Sequence, residues 1–179
     1  MKAAKYFHPL AAVVVAAGAV LTAGCSSPSS EHEEQPMAST VTVEEAWANA
    51  ADLGMAAVFG RFTNTGHHDA HMVSVSSPLS DWVEFHEVVG EGMENKTMQP
   101  KEGGITVPAG GSHELVPGGD HIMLMDLKRP LQPGEDVEVT VTFEDGSTLP
   151  VTAQIRDFPG AGEEYAGGGD TEAPHTNHG

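Results

Sequence analysis

The stretch DVEVTVTFEDGSTLPVTAQIR, residues 136–156, carries the pattern that decides the fold class. Val137, Val139, Val141 and Phe143 recur at every second position, and on an extended chain that period sends all four to one face. Asp145-Gly146 follows as a hairpin turn signal.

The same period recurs upstream. In MAAVFGRFTN, Met55, Ala57, Phe59 and Arg61 oppose Ala56, Val58, Gly60 and Phe62, and TVTVEEAW also alternates. HMVSVSS, WVEFHEVV, GITVPAGGSHELVPGG and HIMLMDL continue the series with turn residues between them. Many short strands separated by turns predict an all-β sandwich or barrel. No segment has the length and period of a helix, although EEAWANAAD would allow one short turn.

Both ends of the chain read differently. Lys2 and Lys5, the apolar run PLAAVVVAAGAVL and the small residues before Cys25 have the anatomy of an export signal over residues 1–24. The apolar run falls short of the roughly 20 residues that cross a bilayer. LTAGCSS resembles the lipobox of bacterial lipoproteins, with Thr22 where leucine is commoner, which predicts Cys25 as a lipidated N-terminus. Residues 25–39, rich in Ser, Pro and Glu, read as a tether, 40–158 as the domain, and the Gly-rich acidic segment 159–179 as a disordered tail.

The chain holds 26 acidic and 8 basic residues, a formal net charge of −18. No basic patch offers itself to nucleic acid, and anionic headgroups would repel this surface, so membrane attachment is expected from acyl chains alone. With one cysteine, placed at the lipidation signal, the domain has no disulfide and no thiolate ligand.

The chemistry-bearing residues lie in GGDHIMLMDLKRPLQPGEDV. His121, Met123 and Met125 share one strand face, and Ile122 and Leu124 point the other way. Thioethers are soft neutral donors that select Cu(I) over zinc, magnesium or calcium, and imidazole suits copper. On these three residues alone, methionine as core filler is the simpler account. His86, in WVEFHEVVGEGMENKTMQP, adds a second histidine with Met93 and Met98 downstream. Together these residues supply enough donors for a Cu(I) site.

These pieces resemble the PCu(A)C family of extracytoplasmic copper chaperones, whose signature is H-(M)-x10-M-x21-H-x-M on a cupredoxin-like Greek-key β-sandwich. The resemblance runs from about Val41 to Arg156. It rests on SSP at 76–78, VEFHE at 83–87, VPAGG at 107–111, the segment around His121 and the terminal hairpin. It implies His86, Met98, His121 and Met123 as copper ligands. Residues 87–97 and 99–120 are each one longer than the signature spacing, and Met93 is the alternative to Met98. Glu87 stands where some members have an auxiliary methionine.

The resemblance also implies a function: binding Cu(I) and delivering it for assembly of the Cu(A) centre, to cytochrome c oxidase subunit II or a Sco-type chaperone. The expected location is the outer face of the bacterial cytoplasmic membrane. Copper buffering and a metal-free β-sandwich interaction module are the alternatives. A blue-copper site needs a cysteine that the domain lacks, and no catalytic constellation presents itself, so an enzyme is not expected. Met125 is an auxiliary candidate on the His121 face. His175 and His178 in the tail are candidates for a secondary Cu(II) site, with His32 and Met37 as further mobile donors. TGHHDAHM, with His67, His68, His71 and Met72, reads as an exposed polar turn or a weaker second site, and His113 as an ordinary strand position.

Overall fold

A computed structural model of the chain describes residues 35–90, 96–158 and, for the backbone alone, 164–165. The expected signal segment, Cys25, His32, Met93, His175 and His178 lie outside the described residues. A four-residue helix, α1 (Met37–Thr40), leads into β1 (Val41–Asn49), β2 (Ala56–Asn64), β3 (Ala70–Ser76), β4 (Trp82–Val89) and β5 (Thr97–Pro100). Then come β6 (Ile105–Val107), β7 (Ser112–Leu115), β8 (His121–Met125), β9 (Asp136–Phe143), β10 (Thr148–Arg156) and β11 (Glu164–Tyr165). No helix among the described residues is long and apolar enough to cross a membrane.

The strands follow one hydrogen-bonded path, β11-β5-β4-β8-β2-β1-β10-β9-β3-β6, with β7 also on β2. The path folds over on itself around one core. Val137, Val139, Val141 and Phe143 of β9 and Met72 and Ile105 of the neighbouring strands join Val58, Phe62, Phe85, Ile122 and Leu124 from the other half. The terminal hairpin forms as its alternation predicts, with Thr148 opposite Thr142. Gly146 takes φ 79°, where a side chain would be strained, and its N–H donates to the Phe143 carbonyl at 2.9 Å.

Two features depart from the simple strand reading. The register of β1 against β2 shifts between Glu44 and Trp47, and Glu45 adopts φ 54°. Val41 and Val43 pack inward before this bulge and Ala46 and Ala48 after it, so the inward positions switch from odd to even. One inserted residue thus re-aims Trp47 to the outer face. The possible turn in EEAWANAAD is therefore a bulged strand.

The domain also starts earlier than residue 40. Met37 N–H donates to Asp145 Oδ2 at 2.7 Å and Ala38 N–H to Ser147 Oγ at 3.0 Å, which ties α1 to the β9–β10 turn. Residues 37–39 of the expected tether thus belong to the fold. Within the expected disordered tail, the backbone of β11 runs parallel to β5, with Tyr165 opposite Met98.

Candidate metal centre

Pairing of β4 with β8 sets the centre of the site. Five consecutive registered pairs run from Trp82–Met125 to His86–His121, so the two histidines stand directly opposite each other. Every residue of β8 is buried, for two different reasons. Ile122 and Leu124 face the main core, whereas His121, Met123 and Met125 are 3, 4 and 3% exposed yet lie outside that core cluster. They occupy the outer face of the sheet beneath a separate cover.

Aromatic rings provide part of that cover. Phe59 of β2 stands 6.0 Å from the His121 ring, Trp47 lies 4.6 Å from Phe59, and Phe158 meets Trp47 edge-on at 5.2 Å. The β1 bulge places Trp47 in this row, so an irregularity far from the histidines in sequence builds the wall beside them. Excluding water there strengthens every polar interaction and favours a neutral imidazole over its cation.

The His86 and His121 ring centroids are 5.7 Å apart at 58°. Each ring has one nitrogen oriented by a neighbour. His121 Nδ1 lies 3.0 Å from the Gly119 carbonyl, which can only accept, so Nδ1 carries the proton and Nε2 the lone pair. His86 Nε2 lies 3.3 Å from Glu84 Oε2, and donation to that carboxylate leaves the lone pair on Nδ1. Such supporting partners fix tautomer and ring orientation in metal-binding histidines. Burial pushes the His86 pKa below 6.5, Glu84's hydrogen bond opposes that shift, and the adjacent His121 adds to it. His86 is therefore neutral at neutral pH, the state in which a metal binds imidazole.

Both expected sulfur ligands share this face. Met123 is opposite Glu84, and Met98 is opposite Val88 in the β4–β5 ladder, whose next same-face pair is His86 with Pro100. Each methionine is thus a diagonal neighbour of His86, a relation of about 7–8 Å between backbones that long side chains span. Met98 is half-buried and Met123 buried. Among the described residues no three His, Cys, Asp or Glu side chains group to hold a metal ion. Met125 continues the row opposite Trp82, one step further from the histidines.

The other histidines have different roles. Met72 is fully buried in the core, while His71, one residue earlier and so on the opposite face, meets Thr106 Oγ1 at 2.9 Å. TGHHDAHM therefore does not gather these two donors on one face. His113 is more than a plain strand residue. Its Nε2 lies 2.9 Å from Asp120 Oδ2, and Lys101 bridges Asp120 at 3.3 Å and Glu87 at 2.8 Å. That contact with Lys101 holds the Glu87 carboxyl below its ordinary range. The network ties together the residues next to both site histidines in sequence.

Sequence reasoning missed Glu84, the aromatic cover and this network. Glu84 was within reach of it, because the alternation that joins His121 to Met123 also joins Glu84 to His86. Trp47 was not, since its place depends on the bulge.

A family model described as putative lipoprotein LpqE-like matches residues 41–155. The putative lipoprotein Lxx21020 of Leifsonia xyli subsp. xyli (strain CTCB07) is 43% identical over 161 residues, which span 88% of this chain and 96% of the relative. The copper-bound PCuAC domain from PmoF2 resembles the fold with a TM-score of 0.54 at 21% identity, covering 66% of this chain and 93% of that one. The solution structure of CuI-DR1885 from Deinococcus radiodurans matches with a TM-score of 0.51 at 30% identity, over 66% of this chain and 80% of that one. With these neighbours the sandwich is of the cupredoxin-like type.

Proposed function

The chain belongs to the LpqE-like family of putative lipoproteins, and from that premise we propose that it is an extracytoplasmic copper chaperone holding Cu(I) through His86, His121, Met123 and Met98. The observation that carries this reading is the buried His86–His121 pair, opposite each other on a face that also bears the two methionines. Its chemistry fits the cargo. Two imidazoles and two neutral thioethers suit a soft monovalent ion, and neither the thioethers nor His86, neutral at neutral pH, have to lose a proton to bind it. The copper-loaded relative from Deinococcus radiodurans supports copper as that ion.

A site of neutral donors favours release as well as capture. Thiolate ligands on a receiving protein can displace thioethers one at a time while copper remains Cu(I). The role is binding and transfer, and the recipient is the Cu(A) assembly route, through cytochrome c oxidase subunit II or a Sco-type protein. Lipid on Cys25 and the following tether hold the domain at the outer face of the cytoplasmic membrane. The tail histidines His175 and His178 take Cu(II) as a secondary site.

Anaerobic titration of the full chain with Cu(I) against a chromophoric chelator tests the site. His86→Ala and His121→Ala should each lose more than the roughly 10–100-fold typical of a lost supporting partner, with Met98→Leu and Met123→Leu showing smaller losses. Unchanged affinity in both histidine variants would sink the proposal.

A further inference from the structure

Continuing the outer face away from the histidines leads along a second set of soft groups. Met125 lies directly opposite Trp82 on β4. On its other side runs Met55, placed between Ala56, which pairs with Leu124, and Gly54, whose carbonyl accepts the Leu127 N–H at 3.0 Å. Met55 precedes β2, and extending the β2–β8 register and alternation by one residue from Ala56–Leu124 sets it beside Met125 on the face of Ala57, with Trp82 on Met125's other side and Met123 next along β8 toward His121.

Exposure is graded along this path. Met55 is 39% and Trp82 47% exposed, whereas Met125 is 3% and Met123 4%. Ser80, itself buried, bonds through its hydroxyl to the carbonyls of Met125 and Trp82 and fixes the strand ends beneath them. Neither Met123 nor Met125 belongs to the main core cluster, so packing of that core does not account for sulfur at these positions.

We propose that Met55 and Met125, beside Trp82, form a second and weaker Cu(I) site through which copper enters and passes by way of Met123 to the histidine pair. Thioethers bind a soft cation without charge, and an indole face attracts a cation brought over it. Between methionines one Cu–S bond forms as another breaks, and at the histidine pair a Cu–N bond forms as a Cu–S bond breaks. The metal stays Cu(I), no electron moves, and the thioethers carry no proton to exchange. The net charge of −18 favours arrival of a cation. This inference rests on the copper reading of His86 and His121.

The test uses the full chain carrying 13C-methyl methionine, titrated anaerobically with Cu(I) through a second equivalent. The first equivalent is expected to shift the Met123 and Met98 methyl signals. The second should shift Met55 and Met125 and quench a fluorescence component absent from Trp82→Phe. Met55→Leu with Met125→Leu, a volume-conserving exchange, should weaken the second equivalent at least about tenfold and leave the first within about twofold. Met55→Leu alone, at an exposed position, gives the same sign if the double variant folds poorly. A second equivalent that leaves Met55 and Met125 unshifted, or that binds the Leu variants as tightly, overturns the entry site. His121→Ala separates the two readings. If it fails to weaken the first equivalent, the chaperone site fails, whereas the entry site is judged on the methionine signals.

Discussion

Glu84 offers the sharpest test of the site, because two of its effects on His86 can be separated. Its Oε2 lies 3.3 Å from His86 Nε2, and its side chain is 35% exposed while that of His86 is fully buried. Glu84→Gln keeps an oxygen that can accept the Nε2–H bond but removes the charge, whereas Glu84→Ala removes both. Partners of this kind contribute about 10–100-fold in metal affinity. A 3.3 Å contact to a partly solvated carboxylate belongs at the low end, so Glu84→Ala should cost about tenfold in Cu(I) affinity, about 1.4 kcal/mol, and Glu84→Gln less.

The proton moves in a defined direction too. Glu84 raises the His86 pKa through its hydrogen bond and its charge, against the larger lowering by burial. Both substitutions should therefore push His86 further below 6.5, read from its imidazole signals in an NMR pH titration of the apoprotein. At pH 7 the ring is neutral in every variant, so the affinity loss there reports orientation and not proton competition. An upward shift of the His86 pKa, together with Cu(I) affinity equal to wild type in Glu84→Ala, would refute the reasoning.

Other expectations follow from the fold. Between 6.5 and its lowered folded value, His86 binds the proton in the unfolded chain and refuses it in the folded one; its contribution is full above pH 6.5 and falls as pH drops. Urea midpoints of the apoprotein should therefore decline on acidification below 6.5, less so in His86→Leu, and equal slopes would count against this. Gly104 has φ +76°, and a Cβ there would lie 2.1 Å from the Met72 carbonyl oxygen, so Gly104→Ala should cost about 3 kcal/mol or more, visible as a Tm drop of about 10 °C. Phe143→Ala, in the fully packed core, should cost about 3–5 kcal/mol in a denaturant titration. Asp145→Ala frees the Met37 and Ser147 amides and should cost about 1 kcal/mol at pH 7. The Asp145 carboxyl is held below 3.8, so that loss should shrink as acid protonates it in the wild type.

What the sequence made legible is whatever depends on a period of two. The opposing faces of 55–62, the inward row Val137 to Phe143 and the shared face of His121, Met123 and Met125 all follow from alternation. The β1 bulge did not, because an extra residue is defined only against its partner strand, and Glu45 takes a left-handed conformation with no glycine to announce it. The register that sets His86 opposite His121 is also non-local; the donor types suggested that the two could meet, and the family resemblance implied it. The physical reason for that register is visible in the fold. Moving β4 by one residue would turn Phe85 outward and His86 into the core, so burial of Val83 and Phe85 fixes the position of Glu84 between them and of His86, the proposed ligand, beyond. Buried imidazoles are costly unless their nitrogens are satisfied. The fold meets that cost on an outer face with Glu84 and the Gly119 carbonyl orienting the rings, while Ile122 and Leu124 face the hydrophobic core. The main core and the proposed copper ligands thus lie on opposite faces of the same two strands, so substitutions of those ligands on β4 and β8 should alter copper affinity more than the midpoint of unfolding.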